Sequence, residues 1–379
     1  MNKLNLHIIL MLLLGMVLAL PTTVVAQNRN CEETLREYVR LFEAGKYDQL
    51  IALVETENRL GQCDKKQKEL IYEVISSAYL EVDKLEQGLD YIRRIFRNNH
   101  YYDAGSSKYS LEPFLTNLNK FKVRPIMAIG INAGYDIPFF WVTDYYNIID
   151  PKLLTTTSAK HKPQASFHAG VNLQYNLFKY LSLHTEANYQ DTRYSRTIYA
   201  TNDIPELYRD GFRNSSITFK ENLRQLNVPV YARFNLAIGK SKFVPGFYGG
   251  LFYRFVMASQ ARLTGEMSRF IGQDFTDVED SDFIITEATA EGIDMRKMRN
   301  RHQFGPLVGM ALTYQVRYFT MFADARYMID LRKFEKNGTR YDNNLLVDYY
   351  YLDTDSRLTN LSLSLGFTYN FIHQIKQRY

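Results

Sequence analysis

Residues 166–190 read SFHAGVNLQYNLFKYLSLHTEANYQ. Over 167–177 every odd position is apolar or aromatic, and every even position between them is polar or glycine. After the three residues 178–180 the alternation resumes and continues to Tyr189. A period of two residues is typical of a β-strand whose two faces meet different surroundings. The stretch therefore predicts two antiparallel strands joined by a tight turn.

Six further segments show the same alternation. They are residues 124–138, 225–236, 243–260, 304–316, 319–332 and 358–371. The connections after the second, fourth and sixth strands are short, near residues 178–180, 238–241 and 316–318, and the others are long, roughly 138–163, 198–218, 261–300 and 336–357. An even number of strands with short turns at one end and long loops at the other is typical of a transmembrane β-barrel. The sequence predicts an eight-stranded antiparallel barrel over residues 122–372.

The polar face of these strands is made mostly of Gly, Ser, Thr, Asn and Ala, with few charges. Small residues suit the crowded interior of a narrow barrel, whereas the surface of a soluble domain is rich in Lys and Glu. We therefore expect the apolar face to meet lipid. The 29 Tyr and 24 Phe among 379 residues suit aromatic girdles, and equally a secreted β-sandwich. The net charge of +5 is modest and predicts no nucleic-acid partner.

The N-terminus has the features of a secretory signal peptide over residues 1–26. Lys3 precedes an apolar run, and Pro21 and the small-residue sequence Val24-Val25-Ala26 follow that run. An uncleaved membrane anchor is the alternative. No later segment approaches about twenty unbroken apolar residues, so no transmembrane helix is predicted in the mature chain.

Residues 27–115 follow the helical period instead, with apolar positions at spacings of three and four residues. Residues 43–55 and 81–93, EAGKYDQLIALVE and EVDKLEQGLDYIR, form an internal repeat. Both resemble the turn and second helix of a tetratricopeptide unit. The predicted fold class is therefore α+β, with a tetratricopeptide-like helical domain followed by the barrel. A partner-binding groove and a small helical cap without a ligand of its own are both open for this domain.

Cys31 and Cys63 are the only cysteines, and both lie in the helical part. They flank the first predicted hairpin of an exported chain, which favours one disulfide between them. Two free buried thiols are the alternative. Neither cysteine has a histidine nearby in the sequence, so neither is predicted to be a metal ligand or a nucleophile.

Three strands carry a resemblance to a known family. IGINAGYDIP (129–138), NVPVYARF (227–234) and LSLSLGFTYNF (361–371) are similar to segments of the small outer-membrane β-barrel proteins of Bacteroidota. The resemblance covers roughly residues 122–372 and implies an outer-membrane location with both mature termini in the periplasm, including a short tail, 373–379. Related barrels serve as envelope-stabilising, porin-like or secretion-accessory proteins, some of them tied to type IX secretion.

Few groups on the polar face suggest chemistry. With a three-residue turn, His184 faces Gln174 and His168 faces Gln190, which separates the two imidazoles by roughly 20 Å along the strand. They cannot share a metal, and each is predicted to be a hydrogen-bonded lumen residue. The acidic segment 273–283 lacks the carboxylate spacing of a calcium loop and is predicted to be a solvated loop.

Four charged residues lie on the predicted lumen face: Glu186, Arg233, Asp324 and Arg326. An enclosed charge needs a partner, because leaving it unpaired costs several kcal/mol. Glu186 and Arg233 lie on neighbouring strands at similar distances from their short turns, so they are the predicted central pair. Tilt and stagger of the strands could offset the two heights by a residue or two, and Asp324 would then take the place of Glu186. Asp324 and Arg326 complete a network that plugs the lumen. A proton or ion path through the same residues is the alternative.

The sequence predicts a non-enzymatic outer-membrane barrel that contacts lipid and anchors a periplasmic helical adaptor. Residues 31–115 are expected to dock a periplasmic or outer-membrane protein of an envelope or secretion system. No catalytic residue, cofactor or metal site is predicted, because no nucleophile, base and orienting group converge in the pattern. A small-solute or ion channel is one alternative, and a lipid-modifying barrel enzyme is another.

Overall fold

The computed structural model describes residues 28–56, 63–105, 107, 109–144, 146, 156–201, 214–236, 242–271, 283–316, 318–348 and 351–377. They form two compact units. The helical unit comprises the chain up to residue 124 together with residues 373–379, and the barrel unit comprises residues 125–372. The predicted signal peptide, 1–26, and residues 273–282 of the acidic segment lie outside the described residues.

The helical unit contains five described helices. They are α1 (Asn28–Glu43), α2 (Tyr47–Thr56), α3 (Lys65–Glu81), α4 (Leu85–Asn98) and α5 (Glu112–Leu118). Asp64 caps α3, because its side chain accepts the backbone N–H of Gln67, whose side chain accepts the backbone N–H of Asp64. Gly45, with φ 67°, turns the chain between α1 and α2. Among the described residues, no helix has both the length and the apolar character needed to cross a bilayer.

The α3 helix is the centre of the helical unit. Its Val74 and Ile75 are fully buried, and the helix packs against α1, α2 and α4. The α4 helix approaches closely because Gly88 has no side chain, and a Cβ atom at this position would lie 2.7 Å from Leu80 Cγ. The α3–α4 hairpin therefore depends on a small residue at its crossing point.

A disulfide joins Cys31 in α1 to Cys63, which lies just before α3. Both cysteines are buried in the same apolar cluster. The bridge spans a sequence separation of 32 residues, so it restricts the unfolded chain over the whole first hairpin. The structure thus has a bridge where the sequence left two free thiols as the alternative.

Ten strands are described. They are β1 (Phe121–Asp144), β2 (Thr156–Pro163), β3 (Ser166–Asn176), β4 (Leu181–Thr201), β5 (Asn214–Asn235), β6 (Phe243–Phe270), β7 (Phe283–Asp294), β8 (His302–Gln315), β9 (Phe319–Ile329) and β10 (Asp355–Gln377). Eight of them form a closed ring in the order β1-β3-β4-β5-β6-β8-β9-β10, with β10 bonded back to β1. The prediction of an eight-stranded barrel is confirmed.

Two strands lie where the sequence predicted only long loops. The β2 strand lies within 138–163 and pairs with the far part of β4, and β7 lies within 261–300 and pairs with the far part of β6. The loop prediction was wrong at these places. In these segments the sequence no longer alternates between apolar and polar residues, but the backbone still pairs with a neighbouring strand. The same holds for the far parts of β4 and β5, where Thr197 lies opposite Thr218.

The outer face of the ring is an apolar band between two sets of aromatic residues. Ile131, Leu251 and Leu365 are 63%, 66% and 70% exposed. The exposed aromatic residues near the short turns include Phe178, Tyr180, Phe234, Phe243, Phe319 and Tyr369, and those toward the long-loop end include Tyr135, Phe167, Tyr189, Tyr253, Phe304 and Tyr327. Every strand of the ring contributes buried polar residues to the inner face. The apolar face therefore points outward and the polar face inward.

Beyond this band, at the long-loop end, the extended strands and loops share a second apolar core. It includes Ile217, Phe219, Leu263, Met267, Ile293, Met295, Met298, Leu346 and Tyr351, of which Leu346 lies on the short helix α6 (Asn344–Asp348). Beside it, the buried Arg299 pairs with Glu221 and Asp353, each at 2.6 Å. Burial opposes ionisation of Asp353, but the Arg299 guanidinium outweighs it and holds the pKa of that carboxyl below its usual value. The strands thus stay ordered beyond the apolar band.

Candidate functional site

The lumen of the ring holds the charged residues that the sequence singled out. The Glu186 carboxylate on β4 accepts two hydrogen bonds from the Arg326 guanidinium on β9, at 2.6 and 3.0 Å. It also accepts the Tyr231 hydroxyl at 2.6 Å and the side-chain amide of Asn188 at 2.7 Å. All four side chains are buried. A bidentate ion pair is stronger and more directional than a hydrogen bond between neutral groups.

Asp324 lies close to both guanidinium groups of the lumen. Its carboxylate lies 3.4 Å from the Arg326 guanidinium and 3.9 Å from that of Arg233 on β5, and it accepts a hydrogen bond from the Tyr248 hydroxyl. The Arg233 guanidinium also lies 5.4 Å from the centre of the Tyr248 ring. Two carboxylates therefore neutralise two guanidinium groups inside the ring.

The predicted central pair of Glu186 with Arg233 is wrong. In the register of β4 and β5, Arg233 lies opposite Ser182. Glu186 lies further along β4, roughly 13 Å from Ser182 at the rise of a strand. Equal distances from two short turns do not give equal heights, because the strands of a closed barrel are staggered. Glu186 pairs with Arg326 instead, and the nearest carboxylate to Arg233 is that of Asp324.

Large side chains fill the space around the charges. The buried cluster inside the ring consists of Tyr231, Tyr248, Phe252, Leu307, Ala311 and Met328. His184 stacks on the Tyr231 ring with centroids 5.0 Å apart and bonds Ser182 Oγ at 2.8 Å. Over the described residues, the lumen at this level is occupied by side chains. The arrangement can neutralise charge and hold strands together, and it leaves no wide path.

A second polar group lies in the lumen nearer the long-loop end, and sequence reasoning missed it. His168 Nδ1 lies 3.0 Å from an oxygen of Asp136, and His168 Nε2 lies 3.0 Å from Ser364 Oγ. The Ser362 hydroxyl donates to the other oxygen of Asp136. An acid, an imidazole and a hydroxyl in this order are the arrangement that activates a serine nucleophile. The three side chains are at most 6% exposed.

The register of β1 against β3 explains why this group was missed. It places His168 opposite Gly134, so that Asp136 follows on the same face. The long connection between these two strands leaves their register undetermined in the sequence. Gly134 also makes room for the imidazole, because a Cβ atom there would lie 2.6 Å from His168 Cε1.

The two histidines lie where the tight turn predicted them, His184 opposite Gln174 and His168 opposite Gln190. Each forms a hydrogen bond with a serine hydroxyl. Within the described part of the chain, no three His, Cys, Asp or Glu side chains are grouped closely enough to hold a metal ion.

No protein-family model matches the chain, and no curated protein matches its sequence. Similar solved structures include Neisserial surface protein A, with a TM-score of 0.28 and 11% identity over 66% of this chain and 99% of that chain. Others are the attachment invasion locus protein Ail of Yersinia pestis (0.26, 9%, 65% and 100%) and outer membrane protein AlkL in lipid bilayers (0.29, 10%, 64% and 90%). With TM-scores below 0.3, none of these similarities supports a conclusion about function.

Replacing Glu186 by Leu should lower the free energy of unfolding by about 3–5 kcal/mol, because Arg326 stays buried without its main counter-charge. The double variant E186L/R326L should recover much of this loss, since no unpaired charge remains. Urea-induced unfolding in lipid vesicles, followed by the heat-dependent gel mobility of the barrel, measures both values.

A matched double-mutant cycle pairs Glu186 with Arg233, which lies in the same lumen but does not bond Glu186. The coupling of Glu186 to Arg233 should be much smaller than its coupling to Arg326. Equal coupling to both arginines would contradict the pairing described above.

Proposed function

We propose that the protein is an outer-membrane β-barrel that anchors a periplasmic helical adaptor, which docks another envelope or secretion component. The observation that carries the proposal is the polarity of the ring, with apolar side chains exposed outside and ion pairs buried inside. In water the exposed band would be an aggregation-prone surface. In a bilayer, hydrocarbon covers the band, the two aromatic sets lie at the two interfaces, and the closed ring leaves no unpaired strand edge.

The orientation is inferred from the connections. Barrels of this kind have short periplasmic turns and long extracellular loops. The ring's first strand begins and its last strand ends at the short-turn end, so we place the N-terminal helices and residues 373–379 in the periplasm. The predicted signal peptide, 1–26, and the disulfide between Cys31 and Cys63 fit export to an oxidising compartment.

The adaptor role is inferred from the helical unit. Its hairpins α1–α2 and α3–α4 follow the internal repeat, and the close contact at Gly88 fits a tetratricopeptide-like unit, in which small residues allow two helices to approach. Stacked hairpins of this type use their surfaces to bind other proteins. A helical cap without a partner is the competing interpretation of the same unit.

An aromatic surface on α3 and α4 is the proposed docking area. Tyr72 and Tyr91 are partly exposed with ring centroids 5.9 Å apart, and the Arg94 guanidinium lies 4.6 Å from the centre of the Tyr91 ring. Beneath them, burial raises the pKa of Tyr79 to about 12, so its hydroxyl stays neutral and donates to Glu55 at 3.2 Å. Tyr and Arg dominate the energetic centres of protein interfaces.

A channel for small solutes or ions is the first alternative. The filled lumen argues against it, because Glu186 and Arg326 pair where a pore would pass. Planar-bilayer recording distinguishes the two, since an anchor gives no conductance steps and an open channel gives stable ones.

A lipid-modifying barrel enzyme is the second candidate, and the chain of Asp136, His168 and Ser364 favours it. In the proposed orientation this group lies toward the extracellular side of the membrane. The enclosure of the serine ranks this candidate below the anchor, because a nucleophile has to reach its substrate.

The mature protein should fractionate with the outer membrane and change its gel mobility when boiled, because a hydrogen-bonded ring in lipid resists denaturant. Tags at about residues 205 and 275 should be accessible to protease on intact cells, whereas a tag at about residue 60 should be protected. Recovery in the soluble periplasm would contradict the membrane placement. Exposure of the third tag would reverse the orientation.

The adaptor role predicts that the Y72S/Y91S variant recovers less envelope protein than the parent in affinity purification from detergent-solubilised envelopes. If the two tyrosines anchor the interface, the reduction should be about tenfold or more. Deletion of residues 27–115 should abolish recovery. The control L85S removes an exposed side chain elsewhere on α4 and should behave like the parent. Unchanged recovery after the deletion would refute the adaptor role.

The enzyme candidate is tested with a fluorophosphonate probe and an ester-linked phospholipid in mixed micelles. We expect no labelling and no hydrolysis, because Ser364 is enclosed. The variants S364A and S362A are matched, since both hydroxyls lie in the same hydrogen-bonded group. If the parent is labelled, and the labelling is lost in S364A but kept in S362A, the enzyme function is favoured over the anchor function.

A further inference from the structure

An open cleft of about 500 Å³ lies at the long-loop end, beside the aromatic set of that end. We call it the rim cleft. Its charged lining is mostly cationic and includes Arg296, Lys297, Arg301, Arg332 and Lys336. Asp294 is the acidic residue in the lining, and the Arg296 guanidinium already neutralises it at 2.6 Å.

Three chain segments hold the cleft together through backbone hydrogen bonds. The N–H of Val256 on β6 donates to the carbonyl of Arg301 at 2.8 Å. The N–H of Lys336 donates to the carbonyl of Met298 at 2.9 Å, and the N–H of Asn300 donates to that of Phe334 at 2.8 Å. Backbone hydrogen bonds therefore join the segments that carry the cations of the cleft.

Four cations of the cleft are available to a ligand. Lys297, Arg301, Arg332 and Lys336 are exposed, and over the described ranges none of them forms an ion pair with a carboxylate. Arg301 is held in place by its guanidinium, which lies 4.8 Å from the centre of the Phe255 ring. Several unpaired cations around one cavity attract a multiply charged anion.

The position of the cleft identifies the anion. Arg301 and His302 come just before Phe304, which is 52% exposed on the outer face, and Arg332 directly follows the exposed Leu331. The hydroxyl of Tyr253, another member of the aromatic set, lies 2.6 Å from His302 Nδ1. Cations next to an interfacial aromatic set meet lipid head groups, whose phosphates lie at that depth.

We propose that the rim cleft binds the phosphorylated head group of an outer-leaflet lipid. Arginine pairs two-pronged with phosphate, and lysine adds charge. The acyl chains of the lipid would lie on the apolar band below Phe304 and Leu331. A lipid is favoured over free phosphate because the cleft borders directly on this band. The inference rests on the proposed membrane placement.

Binding is measured by titrating the full-length protein, in phosphatidylcholine nanodiscs, with diphosphorylated lipid A. The variant R301Q/R332Q/K336Q should bind at least about tenfold more weakly, because three phosphate contacts are removed. High salt should weaken binding by the parent, since exposed ion pairs are screened. None of these three residues belongs to the apolar core at the long-loop end.

The matched control is K162Q/K220Q/R224Q, which removes three exposed cations outside the cleft, on β2 and β5. It should bind within about twofold of the parent, because these cations lie outside the cleft. An equal loss in both variants would show diffuse attraction to the whole rim and overturn the proposal. Unchanged binding in the cleft variant would also overturn it.

A separate arm uses inorganic phosphate alone. We expect weak or no competition with the lipid, and phosphate binding as tight as lipid binding would overturn the lipid as ligand. A parent protein that fails to insert into the nanodiscs would overturn the membrane placement and this inference with it. A parent that inserts while the cleft variant binds normally would overturn the inference alone.

Discussion

Closure of the ring, through the pairing of β10 with β1, is the constraint on which the rest of the barrel depends. Eight strands enclose a narrow interior, so each inward side chain has to fit those of the facing wall. Gly134 makes room for His168 in this way, and aromatic rings fill the level of the charges. A charge can enter such a space only with a partner. The plugged lumen is thus a result of closure at this strand number.

The Glu186–Arg326 pair links β4 and β9, two strands that are not neighbours in the ring. Backbone hydrogen bonds join adjacent strands only. The relative position of opposite walls of the barrel is therefore determined by side-chain contacts across the lumen. A well-packed apolar interior of equal volume is often as stable as a buried ion pair. The ion pair is directional, because its two hydrogen bonds can both form only when β4 and β9 are aligned at one position along the barrel axis. We infer that the pair contributes specificity of register more than net stability.

The sequence predicted the barrel wherever local signals were sufficient. The short turn at 178–180 fixed the register of β3 on β4, and His184 was placed correctly opposite Gln174. Long connections carry no such signal, so the alignment of Asp136 with His168 was not found. The Glu186–Arg233 error came from stagger, a property of the closed ring that no single strand encodes. The strands β2 and β7 were missed because pairing beyond the apolar band no longer needs alternation. In the helical unit, the spacing of apolar residues indicated the helices. Gly88 allows α4 to approach Leu80, whereas the first copy of the repeat has Leu50 at the corresponding position.

The hydrogen-bonded contact between β1 and β10 joins the first strand of the barrel to the last. In the proposed outer-membrane placement, a chain that has been exported only as far as β9 has two open edges, and open edges pair with other chains. The barrel can close only after its final residues have been exported. The helices and their disulfide precede every strand and can fold while export continues. On this proposal, the time spent in the periplasm before closure is when the chain is most vulnerable to aggregation, and when a chaperone that shields strand edges would matter most.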